Sequence, residues 1–188
     1  MKRLILASNS PRRKELLAHC EIPFDVLSEN IDETINPTLA IDDAIADLAH
    51  RKAEAVFVNH SDCVVIGCDT IVVYNNEILG KPIDEEDAYR MLKQLSGTTH
   101  QVITGCAVLT KEKEYQFATV SDVTFKPLSD QMIRNYIASK EPMDKAGAYG
   151  IQGKAGCFIA SINGDYYSIM GLPLCKLHTI LNELYNLD

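Results

Sequence analysis

An aspartate inside apolar sequence requires a partner. Residues 63–73, CVVIGCDTIVV, are almost uninterrupted apolar sequence, with Asp69 and Thr70 as the exceptions. A carboxylate buried in such a strand needs a cation, a metal ion or several hydrogen bonds. Two readings follow: an Asp that accepts backbone N–H bonds at a strand end, or a metal ligand or general base, for which a strand terminus is equally suited. Lys52 poses the mirror-image problem. On a helical wheel Ile41, Ile45, Leu48, Lys52 and Val56 form one narrow stripe, flanked by Ala49, Ala53 and Ala55. Either the lysine snorkels past its neighbours to water, or its ammonium meets a negative partner in a cleft.

A third charge anomaly opens the chain. In LILASNSPRRKELL, Ser10 stands where an N-cap belongs and Pro11 fits the first helical position. The helix would then begin with Arg12, Arg13 and Lys14, at the end of the macrodipole that disfavours cations. Solvated side chains would tolerate this at about 0.3–1 kcal/mol per charge. Alternatively an anion docks on the free N–H groups and the guanidinium groups complete a phosphate site. Lys81, in LGKP, lies outside any Walker frame and alone reads as solvated. Glycines 147, 150, 153 and 156 imply a loop that needs positive φ, or one whose amides approach a ligand. Each signal is weak alone. Together they supply cations, an anion-ready helix start, and Asp32, Glu33 and Asp69 as hard-metal ligands, which a polyphosphate held with Mg²⁺ or Mn²⁺ would satisfy.

These side chains must be positioned by interleaved strands and helices. Leu4–Ala7 reads as a short buried strand followed by the Pro11 helix, and SENIDETINPT as strand end and loop. A helix is expected from about Ile41 to Val58, then the Asp69 strand, turned by Asn75-Asn76 into EIL. Asp84–Leu95 carries acids in its first turn and a Gly97 stop. HQVITGCAVLT and EYQFATVSDVTFKPL pair as strands through KEKE, and Ser129 caps a helix with Met132, Ile133, Tyr136 and Ile137 on one face. Asn163-Gly164, between two apolar runs, predicts another hairpin, and a helix from about Pro173 to Tyr185 ends the chain. The pattern is that of an α/β protein with a mixed, twisted sheet.

At 188 residues and 46% apolar content the chain is read as one domain, 1–188, with an ample core. A net charge of −8 argues against a general binder of nucleic acid or anionic membranes. The six cysteines contain no C-x-x-C pair, and no apolar run approaches a membrane span of roughly 18 residues. They read as reduced, mostly packed thiols of a cytoplasmic protein. The five histidines show no H-x-x-x-H spacing, so any metal should be a hard cation held by carboxylates.

LILASNSPRRKELL, CDTIV, GKP, EPMDKAGAYGIQG and GDYYSIMGLP, in this order along essentially the whole chain, resemble the Maf family of nucleoside triphosphate pyrophosphatases. The resemblance implies an inosine triphosphatase-like fold, a long mixed sheet with flanking helices and two lobes around a cleft. It implies cleavage between the α- and β-phosphates, giving the monophosphate and pyrophosphate, with a divalent metal cofactor. Asp69 falls on the family's catalytic acid and, with Glu33, on its metal-holding positions; Ser8, Arg13, Lys52 and Lys81 fall on the phosphate-binding ones. Arg12, Thr70 and Gln152 agree with the branch that prefers dTTP and UTP, where a sister branch acting on 7-methyl-GTP has Trp, Gln and Glu. A Gln side chain both donates and accepts, as a pyrimidine's carbonyl and N3–H require. Cys68, where alanine or serine is more usual, is a mild departure. Rival readings are a regulator of septum formation that binds nucleotide without hydrolysing it, and a nucleic-acid binder using the Arg-rich start. The final amphipathic helix could serve a homodimer.

Overall fold

The computed structural model describes residues 2–186. Along the chain lie β1 (Leu4–Leu6), α1 (Pro11–Ala18), β2 (Phe24–Val26), α2 (Ile41–Phe57), β3 (Val64–Tyr74), β4 (Glu77–Leu79), α3 (Glu85–Leu95), β5 (Thr99–Leu109), β6 (Glu114–Phe125), α4 (Asp130–Ala138), β7 (Ile159–Asn163), α5 (Tyr166–Ile169) and α6 (Leu174–Tyr185). Three short 3-10 turns, Glu141–Asp144, Ala146–Ala148 and Lys154–Phe158, fill the stretch between α4 and β7.

Local chemistry sets most of these boundaries. Ser10, Asp84 and Ser129 each cap a helix by accepting the amide of the third residue on: Arg13, Asp87 and Met132. Asn75 and Asn76 adopt φ of 49° and 63°, the left-handed pair that a tight hairpin demands, and so join β3 to β4. The strands form one seven-stranded mixed sheet in the order β2-β1-β3-β5-β6-β7, with β4 added to β3. β1 runs parallel to both β2 and β3, whereas β4 on β3 and β7 on β6 are antiparallel.

The described residues group into two compact units. The first holds the chain up to Asp69, Thr104–Thr119 and the part from Gly171; Ile5, Ala7, Ala53, Val56, Val65 and Ala107 belong to one of its buried clusters. In the same unit α6 buries Leu177, Ile180 and Leu181. The second unit, Thr70–Ile103 and Val120–Met170, packs Met91, Leu92, Leu95, Phe125, Tyr149 and Phe158 into its core.

Two expectations need correction. Asn163-Gly164 does not open a hairpin: β7 ends there and the next residues form the short helix α5. Gly164 has φ +133°, outside the left-handed region of a tight turn, and the Asp165 carboxylate accepts the Tyr167 amide at 2.9 Å. The Ser121 hydroxyl, far away in sequence, takes the Asp165 amide at 3.0 Å. A side-chain cap and a distant hydroxyl thus outweigh the turn signal. Nor do the four loop glycines share one reason: only Gly147 has positive φ, +66°. At Gly153 the backbone is approached by the Glu141 carboxylate: a Cβ there would lie 1.9 Å from its Oε1 as now placed.

Candidate active site

Two glycines let α2 touch the sheet. A Cβ on Gly67 of β3 would fall 2.2 Å from the Ala49 carbonyl oxygen and 2.7 Å from the Ala53 amide, and one on Gly105 of β5 would fall 2.2 Å from the Ile45 carbonyl oxygen. The helix backbone therefore lies directly against both strands. Asp69 is two residues beyond Gly67, on the same face of β3. Lys52 lies between Ala49 and Ala53, both fully buried. Its Nζ donates to the Asp69 Oδ1 at 2.6 Å and meets the Glu33 Oε1 at 2.9 Å. The lysine side chain is only 15% exposed and that of Asp69 16%. The ammonium is paired rather than snorkelling. Asp69 stands sixth of eleven residues in β3, not at a strand end, and its carboxylate accepts from a cation, the Lys52 ammonium.

At the start of α1 the Ser10 side chain occupies the Arg13 amide. The Arg13 guanidinium turns back: Nε donates to the Gly171 carbonyl at 2.8 Å and Nη1 to the buried Ser8 hydroxyl at 3.1 Å. Ser8 and the Gly171 carbonyl so fix the orientation of one cation at this helix start. Arg12 is half-buried beside it. Lys14 departs from the group, exposed and lining a hollow of about 610 Å³ with Pro11, Glu15 and Phe24. The Cys68 thiol, next to Asp69, is held below its ordinary value chiefly by a hydrogen bond with Cys106, against the opposing effect of burial; Arg13 and Lys52 lower it further and the Asp69 charge raises it.

Thr70, Lys81 and Gln152 belong to the second unit. Lys81 is exposed directly after β4, and Gly80 before it accepts the Gly147 amide at 3.0 Å. That bond ties the Lys81 segment to the glycine-rich loop carrying Gln152. The loop folds around Glu141, whose carboxylate accepts from the Tyr136 hydroxyl at 3.0 Å and the Lys154 amide at 3.2 Å. Gln152 itself is exposed.

Asp32 does not join Glu33 and Asp69. Its Oδ1 accepts the Thr34 amide at 2.9 Å and the Thr34 hydroxyl at 2.6 Å, bonds that hold its carboxyl below the usual range. Among the described residues no three His, Cys, Asp or Glu side chains form a metal-holding group. What converges on one cationic point is a pair of carboxylate oxygens from separate segments, Glu33 and Asp69. Such a hard, oxygen-only pair fits Mg²⁺ or Mn²⁺, which are commonly bound by one or two carboxylates plus substrate phosphates. Gly67, Gly105 and Arg51 are not among the residues that the sequence motifs single out. A glycine inside an apolar strand is a legible sign of close backbone approach, whereas nothing in the sequence marks the arginine.

Comparison with known proteins gives this arrangement a family. Residues 3–184 match the family model described as Maf-like protein. The chain belongs to the Maf family. It is 51% identical over its full 188 residues to a dTTP/UTP pyrophosphatase of Bacillus cereus (strain G9842), covering 97% of that protein. The identity is also 51% to a dTTP/UTP pyrophosphatase of Bacillus mycoides (strain KBAB4), again over the whole chain and 97% of the relative. Among solved structures the Maf chain resembles the Staphylococcus aureus Ham1 protein, with a TM-score of 0.53 at 13% identity over 97% of this chain and 99% of that one. A HAM1 protein from Coxiella burnetii gives a TM-score of 0.51 at 14% identity, over 97% and 100% of the two chains. These two likenesses support the fold, an α/β sheet with flanking helices of the kind the Maf resemblance implied. Among the described residues no helix is long and apolar enough to cross a membrane.

Proposed function

We propose that this protein hydrolyses dTTP and UTP to the nucleoside monophosphate and pyrophosphate, with residues 1–188 acting as one Maf-like domain. The observation that carries the reading is the convergence of Asp69 and Glu33 on the Lys52 ammonium at 2.6 and 2.9 Å, with Lys52 and Asp69 both set in otherwise apolar sequence. Full-length identity of about one half to relatives named dTTP/UTP pyrophosphatase supports the substrate class.

Glu33 and Asp69 would hold a divalent cation, Mg²⁺ or Mn²⁺, that neutralises charge on the phosphates when bound. Asp69 orients the attacking water and takes its proton at a carboxylate oxygen, as a general base positioned within a network of fixed charges. Lys52, Arg13 and Lys81 bind the triphosphate oxygens and stabilise the negative charge that develops on the departing pyrophosphate. Ser8 holds the Arg13 guanidinium in place at 3.1 Å. Arg12, Thr70 and Gln152 select the pyrimidine base. Six free cysteines support a reducing, cytoplasmic setting.

The test is a panel of purified protein with Mg²⁺ or Mn²⁺, nucleoside triphosphates and pyrophosphate detection. Pyrophosphate should appear with dTTP and UTP, and far more slowly with 7-methyl-GTP. Stoichiometric nucleotide binding without pyrophosphate would instead make the protein a non-hydrolysing regulator.

A further inference from the structure

We propose that Arg51 is a positioning residue that keeps Glu33 in register for the divalent cation. The inference rests on the hydrolase reading above and adds to it a residue that touches neither nucleotide nor metal. Glu33 lies in the long segment between β2 and α2, which has neither strand nor helix, and its side chain is 66% exposed. Packing therefore does little to hold its carboxylate. Arg51, next to Lys52 on α2, supplies a different restraint. One guanidinium nitrogen donates to the Asp32 carbonyl at 2.5 Å and the other to the Thr34 carbonyl at 2.8 Å. The fork thus grips the peptide on either side of Glu33. Its remaining edge is oriented by Asp47, one turn earlier on the same helix, which accepts from Nε at 3.0 Å.

The arrangement has a functional consequence because of Lys52. At present that ammonium is itself the partner of Glu33, at 2.9 Å. Once Lys52 turns to the triphosphate, Glu33 loses this partner while its carboxylate is needed for the metal. The Arg51 clamp acts on the backbone and survives the exchange. The Asp32–Thr34 turn stiffens the same three residues from the other side. A lysine could not replace the arginine, since a compact ammonium cannot span two carbonyls with a planar fork.

The experiment titrates Mn²⁺ into full-length protein with a non-hydrolysable α,β-methylene analogue of dTTP and follows analogue binding by calorimetry. In Arg51→Met the Mn²⁺ needed for half-maximal binding should rise by roughly 10–100-fold, as it does when outer-shell partners of metal ligands are removed. Binding of the analogue in EDTA should stay unchanged, a split that a purely structural role would not produce. Arg51→Lys should restore only part of the Mn²⁺ response. Asp47→Asn removes only the orienting carboxylate and should shift the Mn²⁺ requirement in the same direction by a smaller factor, which keeps the proposal open to test should Arg51→Met not fold. An unchanged Mn²⁺ requirement in the folded variants, with the wild type active and metal-dependent, overturns the role of Arg51 alone. A wild type that releases no pyrophosphate from dTTP or UTP overturns the hydrolase reading and this role with it.

Discussion

Lys52 places its ammonium on a helix face otherwise built from alanine, isoleucine, leucine and valine, and two carboxylates meet it there. The helical stripe marked Lys52 as anomalous but left both snorkelling and a negative partner open, and it named no partner. Asp69 is seventeen residues away and Glu33 nineteen, and only the fold brings them together. Lys52→Met keeps the apolar stem and removes the ammonium. Charge-assisted hydrogen bonds contribute about 1.5–3 kcal/mol each, so KM for the nucleotide should rise by roughly 10–100-fold in steady-state assays. An unaltered KM would remove Lys52 from the phosphate site. Asp32 teaches the converse: an acidic residue adjacent to Glu33 looked like a ligand, yet a threonine two residues on satisfies its carboxylate locally.

Among elements, the contact of α2 with β3 decides whether the charges meet. Gly67 leaves room for the Ala49 carbonyl and the Ala53 amide, which flank Lys52 in sequence. Gly67→Ala must push the helix outward, at about 1–3 kcal/mol as for other overpacked sites, and it should lower both Tm and kcat. Gly80→Ala is the control for stability, because a Cβ there meets nothing within 4 Å. Equal Tm values for the two variants would contradict this account of the helix. Elements punctuated by local chemistry were readable in advance: Ser10-Pro11, Asn75-Asn76, Asp84 and Ser129 act on their own neighbours. The Asn163-Gly164 segment was not, since the Ser121 hydroxyl that fixes it comes from another strand. The spacing of the loop glycines likewise concealed Glu141, the acid around which Gly150 and Gly153 close.

For the molecule as a whole, the sequence order of strands and helices announced an α/β protein, while the order of strands within the sheet depends on long-range pairing that no local signal encodes. Its stability towards acid has an identifiable buried contributor. His100 is 2% exposed, hydrogen-bonded through Nε2 to the Tyr149 hydroxyl at 2.8 Å and edge-on to the Phe125 ring, while Nδ1 has no partner among the described residues. Burial lowers its pKa from 6.5 to about 4. Between those values the unfolded chain binds more protons, so stability falls as pH drops through this window, by about 1.4 kcal/mol per unit and about 3 kcal/mol in all. Denaturant unfolding at pH 7 and pH 5 should show the loss, and His100→Gln should flatten it; an equal slope in the variant would assign the acid sensitivity elsewhere. The central claim, that Asp69 activates water at a triphosphate site, is met most directly by pyrophosphate release from dTTP in Asp69→Asn under saturating Mg²⁺ and nucleotide. Turnover should fall by at least about 100-fold, the lower range for loss of a general base, with the fold intact by circular dichroism. Turnover equal to the wild type would contradict it.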